Sequence, residues 1–241
     1  MSRKRYLTIL SALYLILWIA LAIRPYYRSD WLLENALLVV GFAILIGTYR
    51  ILPLSLVSYT AIFVFMSLHT IGAHYTYAEV PYDAWFKSLT GTTLSGLMGW
   101  QRNYFDRLVH FCYGLLFAYP IREFFLRVAN VRGFWGYFLP LDLTMSTSML
   151  YELMEWGAAV GFGGNLGPAF LGTQGDVWDA QKDMALASLG AAIAMCITAA
   201  INGALQRDFA REWSDSLRVR GRDPLGEEAL RRMTNAGTRR R

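Results

Sequence analysis

Six stretches of roughly twenty mostly apolar residues follow one another along this chain, and they leave it few architectures. A bilayer offers no water to backbone amides, so a spanning segment must satisfy its own, and a helix does. The stretches fall at about 6–23, 32–48, 54–72, 105–128, 134–160 and 176–205. The expected fold class is all-α: a multi-pass transmembrane helical bundle of about six spans over 1–205, with a charged cytoplasmic tail over 206–241. Composition agrees, since 17% of the 241 residues are charged, against about 25% in an ordinary soluble domain.

The first stretch follows Arg3, Lys4 and Arg5, as the core of a signal peptide would. It ends in Arg24-Pro25-Tyr26-Tyr27, which lacks the small residues of a cleavage site, so it reads as a span. The polar segment 74–103 has room for a short interfacial helix. Glycine and proline between 161 and 168 stop the fifth span. Cys112 and Cys196 each sit inside a span, far apart, which fits packing better than a disulfide or a zinc knuckle.

Orientation follows the basic residues near the span ends. The N-terminus, Arg50, the Arg127/Arg132 turn and the tail are basic, whereas 161–175 contains no Lys or Arg. Both termini are therefore expected in the cytoplasm, although Arg24 and Arg28 run against the scheme. The net charge of +5 gathers largely at the two ends, where its natural partners are anionic membrane lipids. No nucleic-acid-binding motif competes with that reading.

This alternation puts most of the intramembrane acids at one depth. Asp106 and His110 lie four residues apart near the outer end of the fourth span, and share a face. Glu152 and Glu155 do so in the outer third of the fifth. Asp176, Asp179 and Asp183 line one face of the first turns of the sixth. His69 and His74 end the third span at the same level. Ionisable groups at such depth are costly unless they pair, hold a metal or face a wet cavity. So many carboxylates cannot all stay charged and close without a cation or protons between them.

A divalent metal of unspecified identity answers that requirement, with Asp106, His110, Glu152, Glu155, Asp176, Asp179 and Asp183 as candidate ligands. Asp106, His110, Glu152, Asp179 and Asp183 are also the candidate acid–base or otherwise catalytic groups, with His69 and His74 as accessories. Arg102, Arg107 or Lys182 can bind a phosphate. Plainer roles stand beside these. Asp176 and Asp179 can cap a helix, Asp106 can pair with Arg102 or Arg107, and His69 can be a satisfied core side chain. Asp183 and Glu152 are harder to assign a plain role, because each lies a turn or more inside apolar sequence.

Four blocks carry a family resemblance. They are 68–77, with His69 and His74; Arg102-Asn103-Tyr104-Phe105-Asp106-Arg107-Leu108-Val109-His110-Phe111; Tyr151-Glu152-Leu153-Met154-Glu155-Trp156; and 173–184, with Asp176, Asp179, Lys182 and Asp183. In that order they resemble a bacterial inner-membrane family of unknown function typified by YjdF. Asp106-Arg107-Leu108-Val109-His110, then Glu152 or Glu155, then Asp183 ahead of Gly190, is more loosely similar to the VanZ-like family. That second resemblance implies a link to envelope lipids and glycopeptide-type antibiotic resistance, without a settled chemistry.

Three functions fit these readings: a metal-dependent hydrolase or transferase acting on an envelope lipid or polyprenyl phosphate, an ion or proton transporter using the same carboxylates, and a non-catalytic membrane assembly protein. The topology is directly testable. A reporter fused after Arg241 should read out in the cytoplasm and one inserted within 161–175 outside. A tail reporter active on the outer side would overturn the span count.

Overall fold

A computed structural model describes residues 1–162 and 173–219, with Glu227 and Arg232. Most of the Lys/Arg-free stretch 161–175 and most of the tail beyond 219 lie outside the described residues. Regular structure among the described residues is entirely helical. It comprises α1 (Arg3–Ala22), α2 (Arg28–Thr48), α3 (Leu56–His74), α4 (Tyr82–Thr90), α5 (Leu94–Met98), α6 (Phe105–Val128), α7 (Trp135–Phe162), α8 (Asp179–Leu205) and α9 (Phe209–Ser216). The chain is a multi-pass helical membrane protein: α1, α2, α3 and α8 have the length and composition to cross a bilayer. The other long helices, α6 and α7, have 24 and 28 residues, and their charged side chains include Asp106, Arg107, Glu152 and Glu155 of the candidate site.

Local chemistry sets the boundaries. Ser2 and Ser55 cap α1 and α3 by accepting the amides of Arg5 and Ser58. The segment 74–103 holds two short helices rather than one, separated by Gly91 in the left-handed region. The last span begins at Asp179, three residues later than expected, because Asp176 Oδ1 accepts the Trp178 amide at 3.1 Å and holds a turn there.

Side-chain contacts fix the directions. Tyr6 bonds Thr60 at 2.6 Å, Tyr14 bonds Thr70 at 3.0 Å and His74 Nδ1 donates to the Leu21 carbonyl at 2.7 Å, so α1 and α3 are parallel. The Trp18 indole donates to Asn35 and His69 to the Glu34 carbonyl, so α2 runs against both. Near the far end of α6, Glu123 accepts the Ser55 amide and the Ser58 hydroxyl at the start of α3, and Arg127 one turn on. Tyr113 meets Thr147, and Asn202 donates to Tyr137, placing α7 antiparallel to α6 and α8. Thus α1, α3 and α7 run one way and α2, α6 and α8 the other. The start of α1 and the end of α8 share a side.

The closest approach in the bundle joins α6 to α8. A Cβ at Gly114 would overlap the Ala187 carbonyl oxygen, and one at Gly190 would overlap that of Phe111. Ala118, Ala187 and Ala191, around this contact, are fully buried. Small residues let two backbones approach where lipid offers no hydrophobic drive, so Gly190 and Ala191 serve packing as their composition implies. After α8 the chain turns back. Phe209 and Trp213 of α9 pack on Tyr137, and Ser216 Oγ accepts the Phe134 amide at 3.0 Å.

Gly114→Ala should therefore cost about 1–3 kcal/mol or more by overpacking. Gly47→Ala, where nothing stands within 4 Å of the new methyl, should cost far less. Thermal unfolding in detergent compares them, and equal losses would contradict the close contact.

Candidate functional site

Two tiers of ionisable side chains occupy the end of the bundle where α6 and α8 begin. The outer tier is a set of ion pairs. Asp179 Oδ1 lies 2.7 Å from Arg102 Nη1 and 3.2 Å from Arg107 Nη2. Asp176 Oδ2 lies 2.5 Å from Arg107 Nη2 and 2.6 Å from Lys182 Nζ. Arg102 also donates to the Thr173 carbonyl at 3.0 Å. The guanidinium of Arg107 stands 4.7 Å from the Tyr104 ring centre. Parallel packing of α6 on α8 places these cations against these carboxylates. The plain alternative, Asp106 paired with Arg102 or Arg107, is replaced by the pairing of both arginines with Asp176 and Asp179.

The inner tier reaches one turn deeper, at His110 and Asp183. His110 Nε2 is 3.6 Å from Asp106 Oδ1 and 3.3 Å from Glu152 Oε1. Asp106, His110 and Asp183 each offer a ligand atom within 4.8 Å of the other two. Asp183 is 2% exposed, and its Oδ1 is buried with no hydrogen-bond partner among the described residues. Ser148 Oγ, one turn before Glu152 on the same face of α7, is buried and lacks a partner in the same way. A buried acceptor left unmatched costs about 1–3 kcal/mol, a cost that a proton or a cation between these groups would offset. Three carboxylates and one imidazole suit a divalent cation that tolerates mixed oxygen and nitrogen donors.

Of the seven candidate ligands, Asp106, His110, Glu152 and Asp183 meet in the inner tier. Asp176 and Asp179 meet Arg102, Arg107 and Lys182 in the outer one. Glu155 lies within Coulombic reach of Asp106, Glu152 and Glu34. His69 has both nitrogens engaged. Its Nε2 faces the Glu34 carbonyl at 3.2 Å and must donate, so Nδ1 accepts from the Tyr77 hydroxyl at 2.6 Å. That is the satisfied core histidine. His74 is held by the Leu21 carbonyl, away from the cluster, and packs on Tyr26 and Tyr75.

Sequence reasoning missed Glu34, Tyr77 and Tyr151. Glu34, 6% exposed on α2, accepts from the Tyr151 hydroxyl at 3.1 Å, and the Tyr151 ring lies edge-on to His110. The signal was present, because Glu34-Asn35 interrupts an apolar run just as Glu152 does.

The Lys182 ammonium, with the Trp178 amide and Arg107, holds the Asp176 carboxyl well below the usual carboxylate range. A depressed folded value means stability that is full above the ordinary carboxyl pKa of about 3.9 and is lost as pH falls through the folded value. The stability gap between wild type and Asp176→Asn should therefore hold at neutral pH and close in acid. Arg107→Ala leaves the buried Asp179 with one fewer cation and should cost about 3 kcal/mol. Adding Asp179→Ala should restore part of that loss, a non-additivity read by a double-mutant cycle. Lys182→Ala, at a side chain 49% exposed, should cost less than about 1 kcal/mol.

The chain's relatives share its membrane character. Residues 6–204 match the family model described as a predicted membrane protein, DUF2238. Over 165 residues the chain is 38% identical to inner membrane protein YjdF of Escherichia coli (strain K12), covering 68% of this chain and 75% of that protein. No solved structure matches. A model match over nearly the whole spanning region, together with that identity, places the chain in the DUF2238 family of membrane proteins.

Proposed function

We propose that this is an inner-membrane protein, with both termini cytoplasmic, that holds a divalent cation at the outward end of its bundle and acts there on a phosphate-bearing envelope lipid. One observation carries the reading: Asp106, His110 and Asp183 converge within 4.8 Å around a buried Asp183 oxygen that has no hydrogen-bond partner among the described residues.

On this reading Asp106, His110 and Asp183 hold the cation, which when bound would polarise a phosphoryl oxygen. Glu152, 3.3 Å from His110 Nε2, is positioned to exchange a proton with a reacting group beside it. Asp179 orients Arg102 and Arg107 across the entrance. Asp176, the more exposed of the two outer carboxylates, is the group a lipid phosphate would displace from Arg107 and Lys182. A polyprenyl or glycerolipid phosphate suits the position, since its chains stay in the bilayer while the headgroup meets the cations.

Ion or proton transport by the same carboxylates is the second reading. Below the site, as far as Arg122 and Glu123, the only acidic or basic side chain on α6, α7 and α8 is Asp142, and it is exposed. A conducting path needs polar steps across the membrane, and the buried Ala118, Ala187 and Ala191 fill that space instead. This favours a one-sided site.

Metal content decides the first step. Protein purified without chelator should carry about one divalent ion per chain by elemental analysis. Asp183→Asn and His110→Ala should lose most of it while still inserting in the membrane, and Asp176→Asn should keep it. A metal-free wild type, or equal content in Asp183→Asn, would sink the proposal. Phosphate release from polyprenyl and glycerolipid phosphates, with and without chelator, then separates an enzyme from a binding protein.

A further inference from the structure

A second site lies at the opposite end of the bundle. There the loop after α6, the start of α7, the end of α8 and α9 enclose a cavity of about 310 Å³, within the range of small-molecule sites. Its polar wall comprises Arg122, Arg132, Tyr137, Asn202, Gln206 and Glu212. The guanidinium of Arg122 lies 4.5 Å from the Tyr137 ring centre, which orients it. Its Nε is buried with no hydrogen-bond partner among the described residues. Neither Arg122 nor Arg132 forms an ion pair with a carboxylate among those residues, whereas Arg127, on the next turn of α6, pairs with Glu123 at 2.9 Å. Among the described residues the acidic group in the wall is Glu212, whose Oε1 accepts the Gly133 amide at 3.1 Å.

Gly133 makes this enclosure feasible. Its φ is +58°, and a Cβ there would meet the Glu212 carbonyl oxygen and the Ser216 side chain, so α9 can close against the loop only over a glycine. The aromatic residues Phe134, Trp135, Phe209 and Trp213 gather beside the cavity. Tryptophan favours the level of lipid headgroups. Two arginines without acidic partners among the described residues suit a phosphate, which a guanidinium binds with paired N–H donors.

We propose that this cavity binds a phosphate-bearing anion through Arg122 and Arg132, with the Gln206 amide as a further donor. The phosphate can belong to a lipid headgroup of the adjacent leaflet or to a soluble phosphate. The site is separate from the Asp106–His110–Asp183 cluster and does not depend on how that cluster is read.

The full-length chain in nanodiscs tests it. In phosphatidylcholine discs, adding phosphatidylglycerol should raise the melting temperature, and inorganic phosphate is titrated in a parallel arm. Protection by phosphatidylglycerol alone identifies a lipid ligand; protection by inorganic phosphate identifies a soluble one. In either arm Arg122→Gln should weaken the apparent affinity roughly tenfold or more. Arg132→Gln, at an exposed side chain where substitution should cost little stability, should weaken it in the same direction. Arg50→Gln, at an exposed arginine on the same side, should not. No protection in either arm, undiminished protection in the Arg122→Gln/Arg132→Gln variant, or an equal loss in Arg50→Gln would overturn the proposal.

Discussion

The contact between α6 and α8 organises everything else in this protein. Gly114 and Gly190 bring two parallel backbones together more closely than any side chain would allow, and the two helices then present their first turns side by side. Four residues before Gly114 stands His110, and four before the fully buried Ala187 stands Asp183. His110 and Asp183 are therefore each one helical turn from the tightest packing in the bundle. A geometry specified by backbone contact is stiffer than one specified by loops, and it holds Asp106, His110 and Asp183 within a few ångström of one another.

The outer tier answers an electrostatic problem that this arrangement creates. Parallel helices place two positive helix ends together, and Arg102 and Arg107 add formal charge to them. Asp176 and Asp179 neutralise that field with hydrogen-bonded ion pairs. Their role is thus set against cations rather than beside the inner carboxylates. The five acids and one histidine of the two tiers divide by partner: Asp176 and Asp179 meet arginine and lysine, whereas Asp106 and Glu152 meet His110 and Asp183 stands beside them.

Much of this was legible in the chain. The apolar stretches marked all six long helices to within a few residues, since hydropathy and the need to satisfy amides act locally. Spacings of three and four residues put Asp106 and His110 on one face of their helix, whereas Asp176 lies in the turn before the last span rather than on it. Partner choice was not legible. Nothing in the spacing says that Arg107 reaches Asp176 across to α8, because that depends on which helices touch and in which register, and Gly114 and Gly190 set that register through shape rather than charge. Glu34 escaped notice because α2 begins at Arg28, earlier than the hydropathy of its first turn implies, so the acid lies deeper than its neighbours in sequence indicate. The turn at Asp176, bonded to the Trp178 amide, shortened the last span for the same local reason that makes aspartate a common turn residue.

The parallel seam between α6 and α8 also bears on how the protein meets bilayers of different thickness. A span longer or shorter than its membrane adjusts chiefly by tilting. Two helices locked backbone to backbone must tilt as one body, carrying Asp106, His110 and Asp183 together without changing the distances among them. Mismatch would instead be taken up where α1 and α2 meet α3 through larger and more deformable side chains such as Trp18, Trp31, Phe42 and Met66. The distances among Asp106, His110 and Asp183 would then follow the α6–α8 contact rather than the thickness of the bilayer.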